Sequence, residues 1–208
     1  MKKLNGSKIL LIVSFIILSS TIVRAQDTSK IYFVTAAGSL FPVSSFSNAY
    51  KNSLALNSGI EFKISKHYFT QFVLDFNAIN YDQQIKDGTS PYLFQHTSSS
   101  VFLAGLNFGR NISITKSGKL FVSPYFGLGY ANIGEPRLTV NNSTGIIEQA
   151  VSRMTGIYLR EGLRLGYQTR SKVLQTIYVD VSRWSANITV QDSRPRAFTV
   201  LIGTRFGF

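Results

Sequence analysis

In the stretch Ala197 to Phe208 (AFTVLIGTRFGF), the residues Phe198, Val200, Ile202, Thr204, Phe206 and Phe208 fall on one parity. Ala197, Thr199, Leu201, Gly203, Arg205 and Gly207 fall on the other. Successive strand side chains point to opposite faces, so this is a strand with one apolar face and one small or charged face. The stretch stops on an aromatic residue. In a soluble sheet, an apolar edge strand with unpaired backbone invites aggregation. A closed membrane barrel has no such edge: one face meets lipid, the other fills the interior, and a terminal Phe fits the aromatic girdle at the interface.

The first 25 residues are read as a secretory signal peptide. Lys2, Lys3 and Lys8 form a basic start, Ile9 to Leu18 an apolar run, and Val23-Arg24-Ala25 a small-residue cleavage site. The run is short of the roughly 20 apolar residues of a spanning helix, so cleavage is expected, with a mature start at Gln26 and a single barrel domain over 26–208. Residues 1–25 hold four basic residues and no acid, and their removal lowers the formal net charge from +12 to +8. The chain has no cysteine, which excludes a disulfide framework, a thiolate metal site and a lipid-modified N-terminal Cys. No later apolar stretch approaches 18 residues, so any membrane span is made of strands.

Parity reading gives eight strands. The first, Ile31 to Leu40, is apolar or small on both faces. The second, Ala55 to Ile64, sets Ser58, Ile60, Phe62 and Ile64 against Asn57, Gly59, Glu61 and Lys63. The third, Phe69 to Tyr81, sets Phe72, Leu74, Phe76 and Ala78 against Gln71, Val73, Asp75 and Asn77, and the fourth sets Phe102, Ala104, Leu106 and Phe108 against Leu103, Gly105, Asn107 and Gly109. In the fifth, Leu120 to Asn132, Pro124 predicts a bulge or a locally open hydrogen bond, since proline donates none. The sixth, Thr155 to Tyr167, opposes Ile157, Leu159, Leu163 and Leu165 to Tyr158, Arg160, Gly162, Arg164 and Gly166. Its misfit is Glu161 on the apolar face, acceptable near the outer interface, where a charge costs little. The seventh opposes Ile177, Val179 and Val181 to Tyr178, Asp180 and Ser182, and the eighth is the terminal stretch.

Short connections fall at Ser65 to His67, Ser113 to Gly118 and Arg170 to Val173. Long ones fall at Phe41 to Ser53, Asp82 to Ser99, Ile133 to Ser152 and Ser185 to Arg196. Such alternation is that of an up-and-down barrel with short periplasmic turns and long outer loops. Gly59, Gly105, Gly109, Gly127, Gly129, Gly162, Gly166, Gly203 and Gly207 share the non-apolar parity. They make room for Tyr125, Tyr158, Arg160, Arg164 and Arg205 inside an eight-stranded barrel, whose interior side chains fill. The fold class expected is all-β, an eight-stranded antiparallel up-and-down transmembrane β-barrel.

The signal peptide, the run SPYFGLGY (Ser123 to Tyr130), the alternating connections and the terminal RFGF together resemble the small outer-membrane β-barrel family of Gram-negative bacteria. That family includes OmpA-like transmembrane domains, OmpX-like proteins and uncharacterised barrels of Bacteroidetes type. The resemblance implies insertion by the outer-membrane assembly machinery, which reads a C-terminal strand ending in an aromatic. It does not imply a biochemical activity, and, unlike full-length OmpA-type proteins, this chain is expected to carry no peptidoglycan-binding domain.

Glu61, Lys63, Asp75, Arg160, Arg164, Asp180 and Arg205 all face the expected interior. They read as a salt-bridge network plugging the barrel, with a gated polar channel as the alternative. His96 and Ser98 have a spacing similar to that of outer-membrane lipid A deacylases, where His is base and Ser nucleophile. An orienting acid is missing nearby, since no Asp or Glu occurs between Asp87 and Glu135. No catalytic, cofactor-binding or metal residue is assigned, because His67 and His96 are expected at opposite ends and no phosphate-cradling glycine loop occurs. Nucleic acid is not an expected partner, in the absence of any recognition motif. Arg137, Arg153, Arg183, Arg194 and Arg196 gather toward the long connections, where they either pair with lipopolysaccharide phosphates or solvate the rim. The expectation is a monomeric outer-membrane barrel with a structural or surface-recognition role, in contact with outer-membrane lipid and lipopolysaccharide, with no extracellular ligand specified. Its rivals are a lipid-modifying barrel enzyme and a soluble lipocalin-type barrel, which would turn apolar residues inward and charges outward.

Overall fold

The period-two alternation runs along eight long strands of the computed structural model, which describes residues 31–86, 90, 92–141, 143–144, 146–171 and 173–207. The expected signal peptide, the start at Gln26 and the terminal Phe208 lie outside the described residues. The strands are β1 (Ile31–Pro42), β2 (Ser53–Lys63), β3 (Tyr68–Tyr81), β4 (Thr97–Arg110), β5 (Leu120–Asn141), β6 (Ile146–Gln168), β7 (Leu174–Ala186) and β8 (Arg196–Gly207). A short helix, α1 (Phe46–Ala49), sits between β1 and β2. Each strand pairs antiparallel with its sequence neighbours, and β1 pairs with β8, Phe33 opposite Phe206 and Gly38 opposite Leu201, so the sheet closes on itself. The fold class read from parity is the one observed. One end of the barrel carries the start of β1, the end of β8 and the short turns; the other carries the remaining connections, and these are called here the turn end and the loop end.

The two faces separate as the alternation requires. Phe72, Leu74 and Phe76 on β3 and Ile157, Leu159, Leu163 and Leu165 on β6 point out and are exposed, whereas Gln71, Val73, Asp75, Asn77, Tyr158, Arg160 and Arg164 are buried within. The ambiguous β1 resolves the same way, with Tyr32, Val34, Ala36 and Leu40 inward and Ile31 and Phe33 outward. Pro124 causes no bulge: it stays opposite Leu163 in an unshifted register. The ladder opens instead on its other side, where Asn111 interrupts β4 and a two-residue continuation, Ile112–Ser113, resumes the pairing with Val122 and Phe121. Asn111 is held there by its N–H donating to the His67 carbonyl at 2.6 Å and by Ser123 Oγ donating to its side-chain oxygen at 2.5 Å. The register shift lies elsewhere, between Leu174 and Thr176 of β7. Glu161 does face outward, and Arg183, opposite it on β7, approaches to 3.8 Å.

Two long connections differ from expectation. The segment expected as a loop over Ile133 to Ser152 is mostly strand: β5 and β6 stay paired as far as Asn141 and Ile146 and form a ribbon beyond the barrel wall. The connection after β1 folds inward, so that Phe46, Ala49 and Tyr50 are buried.

Glycine and aromatic residues meet in pairs across the strands. Phe69 lies opposite Gly109, Phe121 opposite Gly166, Tyr125 opposite Gly162, Tyr158 opposite Gly129, and Tyr178 opposite Gly203. In each case the ring occupies the space a Cβ on the glycine would need. An eight-stranded wall leaves little interior room, and these pairs let large rings lie flat against it. Gly162→Val is expected to destabilise the barrel by about 1–3 kcal/mol through overpacking, while Ser58→Val on the outward face changes stability by no more than about 0.5 kcal/mol. The urea midpoint of the folded protein measures both. Equal effects at the two positions would contradict the packing described.

Candidate functional site: a balanced charge cluster beneath a capped mouth

Inward parity on β2, β3, β6, β7 and β8 brings six charged side chains into the barrel. Arg164 Nη1 meets Glu61 Oε2 at 3.0 Å, its Nε meets Asp180 Oδ2 at 3.2 Å, and its Nη2 donates to Gln71 Oε1 at 3.0 Å. Arg205 Nη1 meets the other oxygen of Glu61 at 2.7 Å and its Nη2 donates to Thr176 Oγ1 at 2.8 Å. Arg160 pairs with Asp75, which also accepts from Asn57 Nδ2 at 2.6 Å, and Tyr125 OH donates to Asp180 at 2.7 Å. Three guanidiniums thus face three carboxylates, and their formal charges cancel. The rings that fill the space around them serve as second partners: Arg164 lies 4.3 Å from the centre of Tyr178 and Arg205 4.7 Å from that of Tyr32. Lys63, also on the inward parity, lies at the end of β2 and is partly exposed.

The space left in this cluster is about 10 Å3, among Asn57, Gln71, Asn107, Tyr125, Arg160 and Arg164. That is roughly one water sphere. Burying ions is costly, and mutual pairing is what makes the cluster tolerable.

Toward the loop end the interior turns apolar. Leu40, Ile79, Val101, Leu103, Ala131, Ile133, Trp184 and Ala186 line it, and α1 closes it from above. Phe46 stacks on Tyr50 with centroids 4.4 Å apart and meets Trp184 edge-on at 6.3 Å, and Tyr50 packs on Tyr81 at 5.0 Å. Tyr50 OH donates to the Gly134 carbonyl at 2.8 Å. Burial above all, then the neighbouring Tyr81 and Glu135, pushes this phenol upward, so it stays a donor. Other connections lock onto this lid. Gln191 Oε1 accepts the N–H groups of Gln84 and Ile85, both at 2.8 Å, while its amide donates to the buried Glu135, which Arg137 also pairs at 2.7 Å. Parity alone does not show that Phe46, Tyr50 and Gln191 take part. A signal was nonetheless present, because inward positions at the loop-end tips of the strands are apolar and demand a cover.

The remaining sequence candidates are scattered. His67 lies in the turn after β2 and His96 at the loop end, before β4. The structure supplies the acid missing from the sequence around His96: Asp82 Oδ1 accepts the His96 N–H at 2.7 Å and lies 3.7 Å from Nδ1. Ser98, however, points outward opposite Asn80, with no hydrogen bond to His96, so base and nucleophile are not assembled. Among the described residues no group of three or more His, Asp or Glu is placed to hold a metal. Of the arginines, Arg137 serves Glu135, Arg153 donates to Ser100 and Asn132 at 3.4 Å, and Arg183 and Arg196 border one outward groove.

Glu61→Gln removes the charge shared by Arg164 and Arg205, and breaking a buried pair costs about 3–5 kcal/mol. Asp82→Asn touches a pair with Lys51 at 3.8 Å whose side chains are 46% and 21% exposed, and exposed pairs are worth about 0–1 kcal/mol. Urea unfolding of the two variants is expected to separate them by that margin; similar midpoints would contradict the bridging role of Glu61.

No family model matches the chain, and no curated protein matches it. Solved structures do. Neisserial surface protein A aligns over 88% of this chain and 100% of its own, with a TM-score of 0.51 at 13% identity. The N-terminal β-barrel domain of Pseudomonas aeruginosa OprF aligns over 85% of this chain and 97% of its own, with a TM-score of 0.46 at 12% identity. Ail, the attachment invasion locus protein of Yersinia pestis, aligns over 86% and 98%, with a TM-score of 0.44 at 10% identity. At 13% identity the likeness to Neisserial surface protein A is one of architecture, and it agrees with the strand order and closure described above: the chain has the closed, eight-stranded, up-and-down fold of the small outer-membrane β-barrels.

Proposed function

We propose that the protein is an integral, monomeric barrel of the bacterial outer membrane, with its turn end toward the periplasm and its capped mouth outside. Its role on this reading is structural or in surface recognition, without catalysis and without an open pore. The observation that carries the proposal is the continuous apolar exterior of a closed wall. Leu54, Phe126, Leu159 and Ile202 are 59–65% exposed on different strands, and a water-soluble monomer rarely presents apolar area of this extent. With apolar residues outward and charges inward, the pattern is the reverse of a lipocalin-type barrel. Within the wall the backbone pairs without an edge, as hydrocarbon requires.

The neutral cluster and the lid favour a plugged barrel over a channel. The separation of Ser98 from His96 favours a non-enzymatic role over lipid hydrolysis. A recognition role is favoured by the ribbon. Gly134–Asn141 and Ile146–Arg153 pair with each other, and among the described residues no further strand covers either edge. Ile146, Ile147 and Val151 are about half exposed there. Open strand edges accept extended segments of partners. Delivery to the membrane would then depend on the barrel assembly machinery, and outer-leaflet lipid would surround the wall.

Mixed with preformed lipid vesicles, the refolded protein is expected to insert, to migrate differently on gels before and after boiling, and to carry no steady current across a planar bilayer. A monomer that stays in buffer would contradict the membrane reading. Large, stable conductance steps would contradict the plugged lumen.

A further inference from the structure

On the outward face at the loop end, two arginines stand close together above an apolar surface. Arg183 of β7 lies opposite Glu161 on β6 and Phe198 on β8, and Arg196, the first residue of β8, lies opposite Ser185, two residues further along β7. Both border a groove of about 490 Å3 whose other walls include Phe126, Leu159 and Glu161. Below Arg183 the same face continues as Val181, Val179 and Ile177 on β7 and Phe198, Val200 and Ile202 on β8, all exposed.

Charge in this groove is incompletely matched. Glu161 reaches Arg183 only at 3.8 Å, with side chains 73% and 46% exposed. Phe198 contributes its ring face to Arg183 at 5.9 Å. Among the described residues no carboxylate lies within ion-pair distance of Arg196. Two guanidiniums against one carboxylate leave a net positive charge on a wall that otherwise faces lipid. A cation in that position is tolerated near the interface and costs more toward the midplane, and the remaining charge calls for an anion supplied from the membrane. Guanidinium offers paired N–H donors matched to phosphate oxygens. Here those donors sit at the end of the apolar belt, with room beneath for a hydrocarbon chain.

We infer that Arg183 and Arg196 hold the phosphate of a membrane lipid in the leaflet at the loop end, with its acyl chain lying in the groove between β5, β6, β7 and β8. Glu161 opposes this anion and competes for Arg183, so it sets an upper limit on affinity. The inference rests on the membrane reading above but is tested separately from it.

The test uses the mature barrel refolded in a non-ionic detergent, first shown to enter vesicles, and native mass spectrometry with dioleoyl phosphatidic acid as the probe. Dioleoylglycerol supplies the chains without phosphate, and glycerol 3-phosphate the phosphate without chains. One phosphatidic acid per barrel is expected to be retained, with dioleoylglycerol retained at least tenfold more weakly and glycerol 3-phosphate failing to displace the lipid. Arg183→Gln with Arg196→Gln is expected to weaken retention at least tenfold, the two Lys substitutions to recover part of it, and Glu161→Gln to tighten it. Should the double variant not fold, Arg196→Gln alone carries the test, since among the described residues that side chain has no ion pair to lose. Retention unchanged by loss of the arginines overturns the inference. So does equal retention of dioleoylglycerol, which would show an apolar surface only, or equal displacement by glycerol 3-phosphate, which would show a site for soluble phosphate. A barrel that never enters vesicles fails at the earlier step and counts against the membrane reading instead.

Discussion

In a wall set in hydrocarbon, as proposed above, a backbone N–H or carbonyl left unpaired costs several kcal/mol, which makes the pairing of β1 with β8 the contact on which the rest of this molecule depends. It runs from Tyr32 opposite Gly207 to Pro42 opposite Ala197. Without it the sheet has two long open edges, and the outward rows of Ile, Leu, Val and Phe would form a template for aggregation. With it, each wall residue has a fixed inside or outside, and the chemistry of the interior follows from parity.

Closure also sets the interior volume, and the composition of the inward face answers to that volume. Five aromatic rings lie against cross-strand glycines. Three guanidiniums find three carboxylates in what space remains. Neither arrangement tolerates independent change: enlarging Gly162 displaces Tyr125, and Tyr125 donates to Asp180, which holds Arg164. The apolar storey above behaves differently. It needs a cover rather than a counter-charge, and the segment around Phe46 and Tyr50 provides one, tied to the other connections by Gln84, Gln191 and Glu135. The mouth is thus a packed lid, and the ribbon of β5 and β6 is what projects beyond it.

Much of this was legible because parity is a local property. The inward placement of Glu61, Asp75, Arg160, Arg164, Asp180 and Arg205 and the strand count require only a two-residue period and turn signals. What escaped was non-local. Phe46 and Tyr50 fold inward because Trp184, Tyr81 and Gly134 await them, and these lie far along the chain. The ribbon was missed for another reason: the turn-forming Asn141 to Gly145 (NNSTG), flanked by Leu138, Val140, Ile146 and Ile147, has the composition of a hairpin turn between strand-forming residues. Length alone suggested a loop. Pro124 illustrates a physical limit of such reading, since a missing donor can be absorbed on either side of a strand, and here β4 gave way while β6 did not.

The closure of β1 on β8 is open to direct measurement, because the chain contains no cysteine and introduced thiols have no competitors. Thr35 and Thr204 are register partners across the seam, and a disulfide needs Cα atoms about 4.4–6.8 Å apart. In the folded protein, mild oxidation of Thr35→Cys with Thr204→Cys is expected to give a cross-link, read by mass, whereas Thr35→Cys with Val200→Cys, four residues out of register, gives none. Failure of the first pair to cross-link, or equal cross-linking of both, would contradict the closed barrel in the register described.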